Sequence, residues 1–140
     1  MHPLLRALPL NLALLALTHV IALGCVQADG ELGLPAFGYT AVLAVGALLV
    51  GLGMGLRLWA TITYHEHELA VLRLLPQRRL VSAGPFAHVR NPLLQGWWLL
   101  QAGWGLVLGT PSGLLFTLAM WVVLDFWVKW EELTLAAEFG

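Results

Sequence analysis

Apolar positions in this chain fall into four long blocks, broken by two short turn-like stretches and one long polar segment. The blocks run over about residues 8–27, 36–60, 92–109 and 111–130. Each is close to the ~20 apolar residues a helix needs to cross a bilayer. Within a block the apolar residues lie on all sides of a helix, as expected where the outer surface meets lipid. The pattern predicts an all-α, polytopic membrane protein of about four transmembrane helices, forming a single domain over residues 1–140. The run Gly109-Thr110-Pro111-Ser112-Gly113 is tight-turn chemistry, so the last two spans form a C-terminal antiparallel hairpin.

The polar breaks set the orientation. Residues 27–35 hold Asp29, Gly30, Glu31, Gly33 and Pro35 and no Lys or Arg, which predicts a loop. Residues 61–91 hold Arg73, Arg78, Arg79 and Arg90. The positive-inside rule puts this second segment in the cytoplasm, the Asp29 loop outside, and both termini in the cytoplasm. Leu69, Leu72 and Leu75 fall at helical spacing, so residues 64–75 read as an interfacial helix or an extension of the second span.

Composition agrees with this class. The chain is 59% hydrophobic and 11% charged, with seven tryptophans and a mean hydropathy of +0.81; a soluble domain carries about a quarter charged residues. The lipid bilayer is therefore a partner, and a net charge of −1 argues against nucleic acid. The single Cys25 has no partner for an intramolecular disulfide and reads as a small buried hydrophobe. Arg6 and Leu23-Gly24-Cys25 faintly resemble a signal peptide with a lipoprotein cleavage box. The length of the run favours a retained first helix.

Several polar residues inside the blocks need an assignment. His19 reads as the donor or acceptor of an interhelical hydrogen bond. Gly51, Gly53 and Gly55 read as a small-residue packing face, with Gly51 and Gly55 in Gly-x-x-x-Gly spacing. His65-Glu66-His67-Glu68 reads as a solvated face, because residues two apart on a helix point away from each other; no metal site is expected. Asp125 either pairs with Arg57 or lines a water-filled cavity. Trp97, Trp98, Trp127 and Trp130 fall near one level, where indoles prefer the interface.

The most chemically loaded stretch is residues 80–96. Gly84-Pro85 is a turn dipeptide. Asn91-Pro92 reads as an N-cap followed by proline in the first helical turn. Arg78, Arg79, His88 and Arg90 surround these signals, and the helix start attracts anions. The hairpin then returns Glu131 and Glu132 to the membrane face from which Arg90 departs. On the residues alone, Arg90 near Glu131 is an interfacial ion pair.

The string Gly84-Pro85-Phe86, Val89-Arg90-Asn91-Pro92 and Gly96 resembles the Gly-Pro-Tyr…Arg-His-Pro-x-Tyr-x-Gly signature of the isoprenylcysteine carboxyl methyltransferase and phospholipid methyltransferase superfamily. Leu80-Val81, Arg57-Leu58-Trp59-Ala60, Glu131-Glu132-x-x-Leu135 and Phe139-Gly140 are similar to further segments of bacterial members. Asn91 stands where the family has His, and Leu94 where it has Tyr. The resemblance implies an integral-membrane enzyme, in a bacterial inner membrane, using S-adenosylmethionine as methyl donor. It implies donor binding by Gly84, Pro85, His88, Arg90, Asn91, Pro92, Gly96, Glu131 and Glu132, with Arg90 and Glu131 the candidates for catalysis. The acceptor it implies is lipophilic or membrane-associated, isoprenylcysteine carboxylate-like or related. Family members carry a basic, tyrosine-containing tail after the Phe-Gly pair, so what the resemblance implies for this chain is donor binding ahead of turnover. The alternative is a non-catalytic four-helix subunit packing against other membrane proteins. A nicotinamide-dependent membrane reductase ranks last, for want of a glycine-rich phosphate cradle.

Overall fold

The computed structural model describes residues 2–66, 84–89 and 91–139. Four helices follow one another: α1 (Pro3–Leu32), α2 (Thr40–Glu66), α3 (Pro92–Val107) and α4 (Pro111–Phe139), with a short 3-10 turn at Gly84–Ala87 before α3. Among the described residues, α1, α2 and α4 are each long and apolar enough to cross a membrane. Helix α3 has 16 residues, about 24 Å at 1.5 Å per residue, and packs along α2.

Helices α1, α2 and α4 run past the ends of their apolar blocks. Helix α1 begins at Pro3, behind an N-cap in which His2 accepts a hydrogen bond from the Leu4 N–H, and ends at Leu32. Residues 27–32, expected as loop, are therefore helical. The reason is Asp29, which is buried rather than solvated. Its carboxylate accepts hydrogen bonds from the Thr110 hydroxyl and from the Ser112 N–H at 3.0 Å. Thr110 also accepts from the Gly113 N–H at 3.1 Å. A carboxylate from α1 thus satisfies the open N-terminus of α4. The connection between α1 and α2 is tied down as well, by Phe37 N–H to the carbonyl of Gly109 at 3.1 Å. Gly109, at φ 63°, makes the turn between α3 and α4, and a Cβ there would collide with the Phe37 carbonyl. Helix α2 continues to Glu66; the rest of the expected interfacial helix, with His67 and Glu68, lies outside the described residues.

The interior is small and polar. The buried stripe of α1 is Ala7, Asn11, Thr18, Ala22 and Asp29, spaced four and seven apart as one helix face requires. Large apolar side chains point outward instead, among them Val20, Leu48, Leu115, Val123, Phe126 and Leu133. Such an arrangement suits a lipid surround, where close backbone approach and polar ties hold helices together.

The tightest contact joins α2 and α3, antiparallel to each other. Two glycine pairs make it. A Cβ on Gly53 would lie 2.7 Å from the Gly96 carbonyl oxygen, and one on Gly96 2.9 Å from that of Gly53. Gly46 and Gly103 repeat the arrangement seven residues along each helix, at 2.9 and 2.7 Å. The glycine face is thus Gly46 and Gly53, not the Gly51–Gly55 pair: Gly51 and Gly55 meet nothing within 4 Å.

Candidate functional site

All four helices bring one end to the same place. Asn11 of α1 donates to the Thr61 hydroxyl of α2 at 3.0 Å, and Arg6 interacts electrostatically with His65. The start of α3 lies against the same part of α2, and the far end of α4 returns beside the start of α3.

The approach to α3 is a compact turn laid on α2. Gly84 has φ 58° and faces the Thr63 hydroxyl and the Trp59 indole, which leave no room for a side chain. Pro85 is buried, and its carbonyl accepts from the N–H groups of His88 and Val89 at 3.1 and 2.9 Å. Phe86 stacks on Tyr64 with centroids 5.0 Å apart, and the exposed ring of His88 lies 6.3 Å from that of Trp59. Asn91 caps α3, its side-chain oxygen accepting from the Leu94 N–H at 3.4 Å, and Pro92 follows as the first helical residue. Arg90 lies outside the described residues.

Arg57 holds this region together from below. Its side chain is 4% exposed. Nε donates to Asn11 Oδ1 at 3.0 Å and Nη1 to the Leu93 carbonyl at 2.6 Å, linking α1, α2 and the first turn of α3. The stem of Arg57 crosses α3 where Gly96 sits, and a Cβ at Gly96 would collide with its Cγ. Of the two expectations for Asp125, pairing with Arg57 and lining a cavity, the structure gives the second. Asp125 lines the cleft between α3 and α4 and pairs with Lys129 at 2.9 Å, one turn along α4. Asn11 is the partner because it lies on the buried stripe of α1, whereas Asp125 lies on the α3-facing side of α4.

A cleft of about 390 Å³ opens between α3 and α4, within the ordinary size range of small-molecule sites. Leu94, Trp98, Trp121 and Leu124 give it apolar walls, while Asn91, Gln95, Asp125, Lys129 and Glu132 supply polar atoms. Asn91 and Glu132, from the two arms of the hairpin, thus line one cavity. Glu131 does not line it. It lies one residue, or about 100° of helix turn, away and interacts electrostatically with Tyr64 of α2. The two acids therefore face adjacent compartments rather than one.

The family profile of the phospholipid methyltransferases (PEMT) matches residues 41–140, from the start of α2 through the turn, α3 and α4. The chain belongs to this family. No curated protein and no solved structure matches it. In this phospholipid methyltransferase family member, helix α1 precedes the matched residues and is joined to them by Asn11, Asp29 and His19.

The sequence reading gave no site role to several cleft residues, among them Gln95, Trp121, Leu124 and Lys129, and it placed Trp98 only at the interface. Their signal was periodicity. Asp125, Lys129 and Glu132 are spaced four and three apart, which defines one face of a helix. Arg57 was seen as a partner in search of an acid, and its hydrogen bonds to Asn11 and Leu93 could not be read without the fold.

Proposed function

We propose that this membrane methyltransferase family member transfers a methyl group from S-adenosylmethionine to a lipophilic or membrane-associated acceptor bound in the α3–α4 cleft. The observation that carries the reading is that Asn91 and Glu132, far apart in sequence, line one cavity with apolar walls. When bound, S-adenosylmethionine would supply a methyl carbon on a sulfonium, open to a lone pair on the acceptor, with the carbon–sulfur bond breaking as the new bond forms and the sulfur leaving as a neutral thioether. Glu132 holds the ammonium or the ribose hydroxyls of the donor. Arg90 and the opening N–H groups of α3 after Asn91 attract the donor carboxylate. Trp98 and Trp121 offer ring faces to a cation. Gly84, Pro85, His88, Pro92 and Gly96 shape the turn and let α3 start close to α2, and Glu131 orders the Tyr64 side. Aligning two reactants and excluding water supplies most of what such a displacement requires.

The acceptor enters sideways between α3 and α4, where Leu94, Leu124 and Val128 face its apolar part. An isoprenylcysteine carboxylate or a related lipid satisfies this arrangement. The arginine-rich side is cytoplasmic, with both termini on it, and the whole chain acts as one domain in a bacterial inner membrane. Incubating the purified protein with membrane lipids and methyl-labelled donor tests the reading. Label should enter the lipid fraction, and Glu132→Gln should lower the rate about 100-fold, the size typical of losing one charge-stabilising contact. Equal incorporation by wild type and variant contradicts it.

A further inference from the structure

Among the described residues, five buried polar atoms on four side chains outside the cleft have no hydrogen-bond partner: His19 Nδ1, the Trp97 and Trp104 indole nitrogens, and the side-chain nitrogen and oxygen of Gln101. Gln101 is fully buried. Trp97, Gln101 and Trp104 are spaced four and three apart, so they share one face of α3. The His19 ring of α1 lies 4.5 Å from the Trp104 ring, tilted by 59°, which makes α1 the opposite wall. Trp98, on a different face of α3, shows the ordinary outcome for a buried indole: it donates to the Thr117 carbonyl at 3.2 Å.

The depth makes unpaired polar atoms costly. Gln101 is nine residues beyond Pro92, about 14 Å along the axis from the cleft end of α3. There hydrocarbon offers no water to satisfy a polar group. Re-pairing within the group does not remove the surplus. Two indole N–H groups and the two amide hydrogens of Gln101 make four donors, against the Gln101 oxygen and at most one imidazole nitrogen as acceptors. No charged side chain belongs to the set, so what it lacks is a neutral acceptor. The set also straddles the boundary of the family match, with His19 outside it and the α3 residues inside.

We infer that His19, Trp97, Gln101 and Trp104 form a second, membrane-buried site, between α1 and α3, for a neutral oxygen acceptor. Two sources share that chemistry: the carbonyl of a lipophilic molecule, and an ordered water. The site is independent of methyl transfer.

Nitrogen-15 labelling of the tryptophan indoles in the whole protein, in nanodiscs, tests it, with Trp97→Phe and Trp104→Phe assigning the two resonances. The expected result is that both N–H signals lie downfield, in the hydrogen-bonded range. An ordered water adds a cross-peak at the water frequency. A lipophilic carbonyl gives no such cross-peak but saturable shifts with decylubiquinone that decylbenzene does not produce. Gln101→Met keeps the shape and removes the amide that helps hold the acceptor, and it should move both indole signals upfield. Two indole signals in the unbonded range, with no water cross-peak and no response to the quinone, overturn the proposal. So does a Gln101→Met spectrum identical to wild type at those two positions.

Discussion

Gly53→Ala separates α2 from α3 and destabilises the protein by about 1–3 kcal/mol, the usual cost of overpacking. The new methyl would lie 2.7 Å from the Gly96 carbonyl oxygen and 2.9 Å from the Leu100 nitrogen. Both are helix backbone atoms, so no side-chain rotation relieves the clash. Gly51→Ala and Gly55→Ala go the other way. Nothing lies within 4 Å of a Cβ at either position, so alanine gains about 0.5–1 kcal/mol of helix preference without a steric penalty. Denaturant titrations of the three variants in one detergent decide the matter by sign. A stable Gly53→Ala, or a damaged Gly55→Ala, means that α2 and α3 meet along a different face.

Asn11→Leu should be more harmful still. It removes the acceptor of the Arg57 Nε–H and leaves a 4%-exposed guanidinium with the Leu93 carbonyl as its remaining acceptor among the described residues. Leaving a buried charged donor without its acceptor costs the desolvation of that group, about 3 kcal/mol or more. Adding Arg57→Leu then removes the stranded charge, so the double variant should be more stable than Asn11→Leu alone. That non-additivity is the mark of a direct contact. The double variant nevertheless loses the anchor on Leu93, and donor affinity should fall in it. Additive losses would mean that Arg57 is not held by Asn11.

Much of the fold follows from the hydrophobic blocks, because lipid demands apolar surfaces over a fixed thickness. Four helices and the closing hairpin were legible from block length and turn chemistry, as was the return of the end of α4 to the start of α3. The expected meeting was between Arg90, which lies outside the described residues, and Glu131, whereas the residues that line one cleft are Asn91 and Glu132. What the pattern hid was polar. Asp29 looks like a loop residue beside Gly30 and Gly33, and becomes helical only because the N-terminus of α4 needs its carboxylate. His19 was expected to hydrogen-bond across helices and instead lies tilted on Trp104, with Nδ1 buried and unpartnered among the described residues. Choosing Gly53 over Gly51 or Gly55 required knowing which way α2 faces, and a helix apolar on every side gives no periodicity from which to read that. For the same reason Glu131 and Glu132 looked like one pair, although only Glu132 lines the cleft and Glu131 interacts with Tyr64 of α2.

The central claim is that the end of the bundle framed by Asn91 and Glu132 binds the methyl donor. Calorimetric titration of the protein in nanodiscs with S-adenosylhomocysteine measures this most directly. One site per chain is expected, with affinity falling at least tenfold in Glu132→Gln and unchanged in Glu31→Gln, an exposed acid at the opposite end of the bundle. Absence of binding, or equal affinity in wild type and Glu132→Gln, would contradict it.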